Sequence, residues 1–370
     1  MAFSFLAVLA LFGLAGLAVL FGLNDVIQGQ QTPAEPIFLI AGALALSGLL
    51  VLPSGIYAAL RMAGVRPAPE LRLTGCLRPT LLILALPLVL LLGYLLVTRT
   101  DFAWLGLPPL QALAVGLPIL WIGYLAIRGL PSGSPQRSWG VLASGLVLGP
   151  ALILLLEGIA LVGAVVLISL WIGQQPGLQE QILQLMQHSG DPQQKQQDIL
   201  NLLEPYLATP AALLGALSFT ALIVPLIEEL IKPIGVWLLA GRDLSPAAGF
   251  AAGALSGAGY ALFESMALTT SGEEWLYVVV ARAGTGAIHI FTTALMGWAM
   301  ARAWRYRTYL NFALAYLTAV LIHGLWNALT VFVSFASFPQ VQSGEAGMPF
   351  VSRLGAVAPG LGFLAIGILV

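Results

Sequence analysis

The chain is short of charge and almost without cysteine. Only 8% of its 370 residues are Asp, Glu, Lys or Arg, against 59% hydrophobic, and mean hydropathy is +0.94. Soluble domains carry about 25% charged residues, so the sequence describes an integral membrane protein. A single cysteine, Cys76, excludes an intramolecular disulfide and a cysteine-built metal site. With a formal net charge of −1 and no dense basic cluster, nucleic acid is not an expected partner. Residues 2–23 lack the basic start of a signal peptide, and their apolar run is long enough to span a bilayer.

What is present is a series of apolar runs. Taking roughly 20 apolar residues per span, the sequence predicts an all-α polytopic membrane protein. Ten transmembrane helices are expected near 2–23, 37–60, 80–98, 108–127, 139–173, 210–241, 246–268, 275–301, 308–337 and 354–370. The fifth and sixth exceed one span, so a break at Gly149-Pro150, tilt or protruding ends is expected. Arg61, Arg66, Arg72, Arg78, Arg128, Arg137, Arg242, Arg302, Arg305 and Arg307 all fall on one side, against Arg99, Lys195 and Arg353 on the other. The positive-inside rule then puts both termini in the cytoplasm.

The glutamine-rich stretch 174–209 falls outside under that topology. Leu178, Ile182 and Leu185, then Ile199, Leu202 and Leu203, are helically spaced, which predicts two short amphipathic helices on the outer membrane surface. They read either as a solvated linker or as a lid or substrate platform. The chain thus divides into accessory helices 1–5 (1–173), the outer stretch 174–209, a core of helices 6–9 (210–337), and a loop with the last helix (338–370).

Almost all charge at membrane depth sits in helices 6–9: Glu228, Glu229 and Lys232, then Glu264, then Arg282 with His289, and finally His323 with Asn327. Each charged residue at the bilayer centre costs about 2.5–3.5 kcal/mol on insertion scales, so these groups must pair or line a polar cavity. Lys232 lies i+4 from Glu228 and i+3 from Glu229, in reach of both. The two glutamates point about 100° apart and should have different jobs. His323 and Asn327, at i and i+4, share a face. The ridge Gly249, Gly253, Gly257 with Gly259 permits close helix approach. Glu264 and Arg282 are expected to pair in a cavity wall. Glu157 in helix 5 reads as a helix-packing residue. A base, oxyanion donors and an acid for the leaving amine are what amide hydrolysis needs. No serine or cysteine nucleophile stands out: Ser256 and Ser265 lack a base in the local sequence.

The order EELIK (228–232), GAGYALFES (257–265), Arg282 with His289 seven residues on, and HGLWN (323–327) resembles the PrsW family of intramembrane proteases, itself similar to CAAX prenyl proteases. The resemblance covers about 215–332. It implies cleavage of membrane-embedded or membrane-anchored proteins by water activated at Glu228 and Glu229, with His289 and His323 catalytic and Asn327 assisting the oxyanion. Lys232, Phe263, Glu264 and Arg282 would support them, in a multi-pass protein of the bacterial inner membrane. The sequence departs from the family at Glu264-Ser265, where an asparagine usually follows the glutamate, at Leu268, where tyrosine is common, and at Lys232. No cofactor is expected. The alternative is a zinc enzyme with His289, His323 and Glu228 as ligands, although HExxH spacing is absent and Lys232 would repel a dication. An ion-coupled transporter or a silent scaffold are the rivals from other classes.

Overall fold

The computed structural model describes residues 2–29, 31–65, 77–99, 102–187, 192–267, 274–344, 346–357 and 360. Cys76, His188, Leu268 and 12 of the 17 residues of the expected tenth helix lie outside them. The described residues form helices and no strand: α1 (Ala2–Ile27), α2 (Gln31–Met62), α3 (Leu77–Ile83), α4 (Leu86–Arg99), α5 (Ala103–Ile127), α6 (Pro135–Ala143), α7 (Gly149–Gly173), α8 (Pro176–Gln187) and α9 (Pro192–Leu207) come first. They are followed by α10 (Pro210–Leu217), α11 (Val224–Ile231), α12 (Ile234–Trp237), α13 (Pro246–Ala267), α14 (Trp275–Tyr306), α15 (Tyr309–Ala336) and α16 (Pro339–Gln342).

Eight helical stretches among the described residues are long and apolar enough to cross a membrane. The 22-residue α13, rich in glycine, alanine and serine, is not among them, and 15 of its residues are buried in protein. The break expected at Gly149-Pro150 takes a specific form. A π-helical segment, Ser144–Leu148, joins α6 to α7 immediately before those two residues. A second π segment, Ser218–Ile223, joins α10 to α11. Expected helix 6 is also broken, and at its most polar point: α11 stops at Ile231, and α12 begins after Pro233. Proline has no N–H to continue the ladder.

The chain divides into two compact units. The first contains residues up to Ala151 and Glu229–Ala319. Here α13 lies directly on α14. A β-carbon at Gly253 would collide with the Thr293 carbonyl, and one at Gly257 would lie 2.6 Å from the His289 carbonyl. The glycine ridge therefore does what its spacing suggests, bringing the two backbones together. Its core joins Leu107, Ile119, Leu146, Leu262 and Trp275. The Trp275 indole donates to Gln111 Oε1 at 3.2 Å.

The second unit contains Leu152–Glu228 and the chain from Val320. As the spacing predicts, α8 and α9 are separate helices. Leu178 is buried, and Ile182, Leu185, Ile199, Leu202 and Leu203 are half-buried. Trp171 at the end of α7 meets Tyr206 of α9 edge-on, ring centroids 5.5 Å apart. Glu157 is half-buried on α7.

Candidate active site

The boundary between the units runs through the peptide bond joining Glu228 to Glu229, consecutive residues of α11. Each glutamate anchors a different cluster.

In the first unit Lys232, 0% exposed, reaches back one turn to Glu229 Oε1 at 2.9 Å, also 0% exposed. Its ammonium also lies 2.8 Å from His289 Nδ1 on α14 and 4.9 Å from the Tyr260 ring centroid on α13. The other imidazole nitrogen, Nε2, meets Glu264 Oε2 in a short contact, and the second oxygen of Glu264 is 3.0 Å from Arg282 Nη2. Arg282 Nε donates to Ser265 Oγ at 3.2 Å. Lys232 Nζ and Glu264 thus engage the two ring nitrogens of His289. The result is a chain of five charged or titratable groups from Glu229 to Arg282.

The break in the expected helix is stitched by a serine. Ser256 Oγ donates to the Lys232 carbonyl at 2.6 Å and accepts from Gly235 N at 3.3 Å, so one buried hydroxyl bridges the two sides of Pro233. Tyr260 stands edge-on to His289, centroids 5.2 Å apart. Ser256, Tyr260 and Glu264 are spaced i, i+4, i+8 and form one stripe on α13. That periodicity was available in the sequence, but the serine is sought there as a nucleophile, and its structural use is to satisfy backbone.

Two expectations change here. The aromatic that touches the cluster is Tyr260, not Phe263, which is rotated off the stripe and packs against the apolar core. The Glu264–Arg282 pair forms as expected, but Glu264 does not stay in a wall: it also binds His289. With its side chain 33% exposed, it is the most open member of the cluster.

The second unit holds Glu228, His323 and Asn327. Glu228 Oε2 is 3.8 Å from His323 Nδ1, both side chains buried. That is too long for a hydrogen bond, and a group touching both would lie to one side of the line that joins them. Asn327, one turn beyond His323 on α15, donates to the Thr220 carbonyl at 2.8 Å. This carbonyl belongs to the π segment, so the asparagine amide joins α15 to the irregular turn before α11.

A family model described as the PrsW family intramembrane metalloprotease matches residues 138–352, more than half of the chain. The chain belongs to the PrsW family. As a PrsW protein it is an integral, multi-pass membrane protein and an intramembrane protease. The PrsW match is wider than the 215–332 text that carries the resemblance, and takes in α6 to α9, whose apolar and glutamine-rich residues offer no distinctive motif. No curated protein and no solved structure matches the chain.

The PrsW description includes a metal, which the donor set can be tested against. Two imidazoles and a carboxylate are an accepted catalytic zinc set. Glu228 and His323 present a carboxylate oxygen and a ring nitrogen at a spacing near that of two ligands on one ion. His289 as placed does not fit: Nδ1 faces an ammonium and Nε2 a carboxylate.

Proposed function

We propose that this PrsW protein hydrolyses a peptide bond of a membrane-embedded or membrane-anchored protein with a water activated by Glu228. The observation that carries the reading is a buried carboxylate and a buried imidazole side by side, Glu228 Oε2 and His323 Nδ1 at 3.8 Å. A water held against both from one side gives up a proton to the Glu228 carboxylate as its oxygen attacks the scissile carbonyl. The proton then passes to the leaving amine, directly or by way of His323.

Glu228 and Glu229 are bonded neighbours on one helix, and this reading gives them different tasks. Glu229, His289 and Tyr260 hold the Lys232 side chain in the first unit. Glu264, backed by Arg282, fixes the imidazole of His289. In this account His289 is a positioning residue. Asn327, tied to Thr220, holds the turn that carries His323 rather than binding the oxyanion itself.

The second reading is a zinc site on Glu228, His289 and His323. Favouring it are the family description and the carboxylate on the far nitrogen of His289, the usual companion of a metal-bound imidazole. A bound zinc would supply a nucleophilic water. For that, Lys232 must leave His289 Nδ1.

The deciding experiment is cleavage of a membrane peptide in liposomes by wild type, E228Q, E229Q, H289A and H323A, with and without a membrane-permeant chelator, alongside the zinc content of purified protein. Loss in E228Q and H323A, insensitivity to chelation and no stoichiometric zinc support the glutamate-activated water. Zinc near one per chain, with chelation that stops cleavage and zinc that restores it, replaces the first reading with the second.

A further inference from the structure

The first unit holds a cavity that none of the preceding chemistry uses. Its volume is about 910 Å³, and it lies where the start of α1, the end of α2, the start of α6, and α12 with the turn after it come together. These are all helix ends on the arginine-bearing side of the chain. Three arginines line the cavity, Arg61, Arg137 and Arg242, and no acidic residue does among the described residues. Most of the remaining wall is apolar, with Phe3, Leu148 and Leu238 among its members.

One arginine is fixed in place. Arg137 Nε donates to the Ser132 carbonyl at 3.1 Å and Nη2 to the Pro131 carbonyl at 3.4 Å. Its guanidinium lies against Gly133, where φ is +86° and a β-carbon would collide with it. Arg61 and Arg242 are exposed, at the end of α2 and beyond α12. A pinned cation and two exposed ones, lining a hollow whose remaining wall is mostly apolar, are complementary to an amphiphile with a negative headgroup. Basic pockets between transmembrane helices on the cytoplasmic side are suited to anionic lipid headgroups.

We propose that this cavity is a binding site for an anionic phospholipid, with the headgroup phosphate on Arg61, Arg137 and Arg242 and an acyl chain along Leu148 and Leu238. The site bears on the rest of the molecule through its floor. Gly235 lines the cavity, and its N–H is the one that Ser256 Oγ accepts while donating to the Lys232 carbonyl. A lipid that settles α12 thereby settles the backbone at Lys232. The proposal does not depend on how the peptide bond is cleaved.

The test is native mass spectrometry of the full chain released from nanodiscs of equal phosphatidylglycerol and phosphatidylcholine. Wild type should retain phosphatidylglycerol preferentially. R61Q and R242Q, changes at exposed positions that leave the fold intact, should each weaken retention about fivefold. L238W should displace the lipid by filling the cavity, with the arginines untouched. Equal retention of the two lipids, or phosphatidylglycerol retention unchanged in the R61Q/R242Q double variant, overturns the proposal.

Discussion

Lys232 Nζ lies 2.8 Å from Nδ1 of His289 and 2.9 Å from Glu229 Oε1, with all three side chains buried. A metal ion bound at His289 Nδ1 would have to displace this lysine. The arrangement makes zinc content depend on this side chain. Wild type is expected to purify with well under one zinc per chain, and K232A to take up more when zinc is supplied, as read by elemental analysis. Stoichiometric zinc in wild type and none gained by K232A would contradict it.

The adjacent glutamates should fail in different ways. E228Q removes the base but leaves an uncharged side chain of the same shape beside His323, so the protein should accumulate normally and lose about 10²–10⁴-fold in cleavage rate. E229Q leaves the Lys232 ammonium buried without its carboxylate. Breaking a buried ion pair from one side costs about 3–5 kcal/mol, so this variant should lose thermal stability and accumulate poorly. Thermal unfolding in detergent measured beside liposome activity separates the two; equal stability of the variants would contradict the division.

Glu264 serves two partners, and exchange of charge cannot satisfy both. E264R/R282E should therefore fail to restore what E264Q and R282Q lose, because His289 Nε2 would then face a guanidinium instead of a carboxylate. R282K, which keeps a cation near Glu264, should retain more cleavage than R282Q. Full recovery in the swapped double variant would show that His289 does not need this carboxylate.

Ser256 is the least expected member of the cluster. S256A removes both hydrogen bonds across the Pro233 break and strands the Lys232 carbonyl in a buried place, at a cost of about 1–3 kcal/mol. Cleavage should fall together with stability, since the residue acts through backbone position. S256T keeps a hydroxyl and should recover part of both. Unchanged unfolding in S256A would mean that water replaces the hydroxyl.

The glycine at position 253 should be intolerant of size. G253L places a side chain where α13 and α14 meet backbone to backbone, and overpacking costs about 1–3 kcal/mol or more. The expected outcome is loss of folded protein by size-exclusion chromatography, whereas G158L on α7, with nothing within 4 Å of an added β-carbon, should accumulate as wild type does.

What could be read along a single helix was legible in the amino-acid order. Apolar length marked the spans. The i, i+3 and i, i+4 spacings put Lys232 in reach of both glutamates, and the four-residue glycine period brought α13 onto α14. The i, i+4 stripe of Ser256, Tyr260 and Glu264 was equally present, but its meaning depends on what it faces. Only the tertiary structure decided that Glu228 goes with His323 while Glu229 goes with Lys232. It also decided that both nitrogens of His289 are engaged, and that α11 stops where a serine from another helix replaces its lost hydrogen bonding. The physical reason is that helical periodicity fixes angles within one segment. Rotation and depth of one helix against the next are set by packing, and here by where two glycine-lined backbones come to rest.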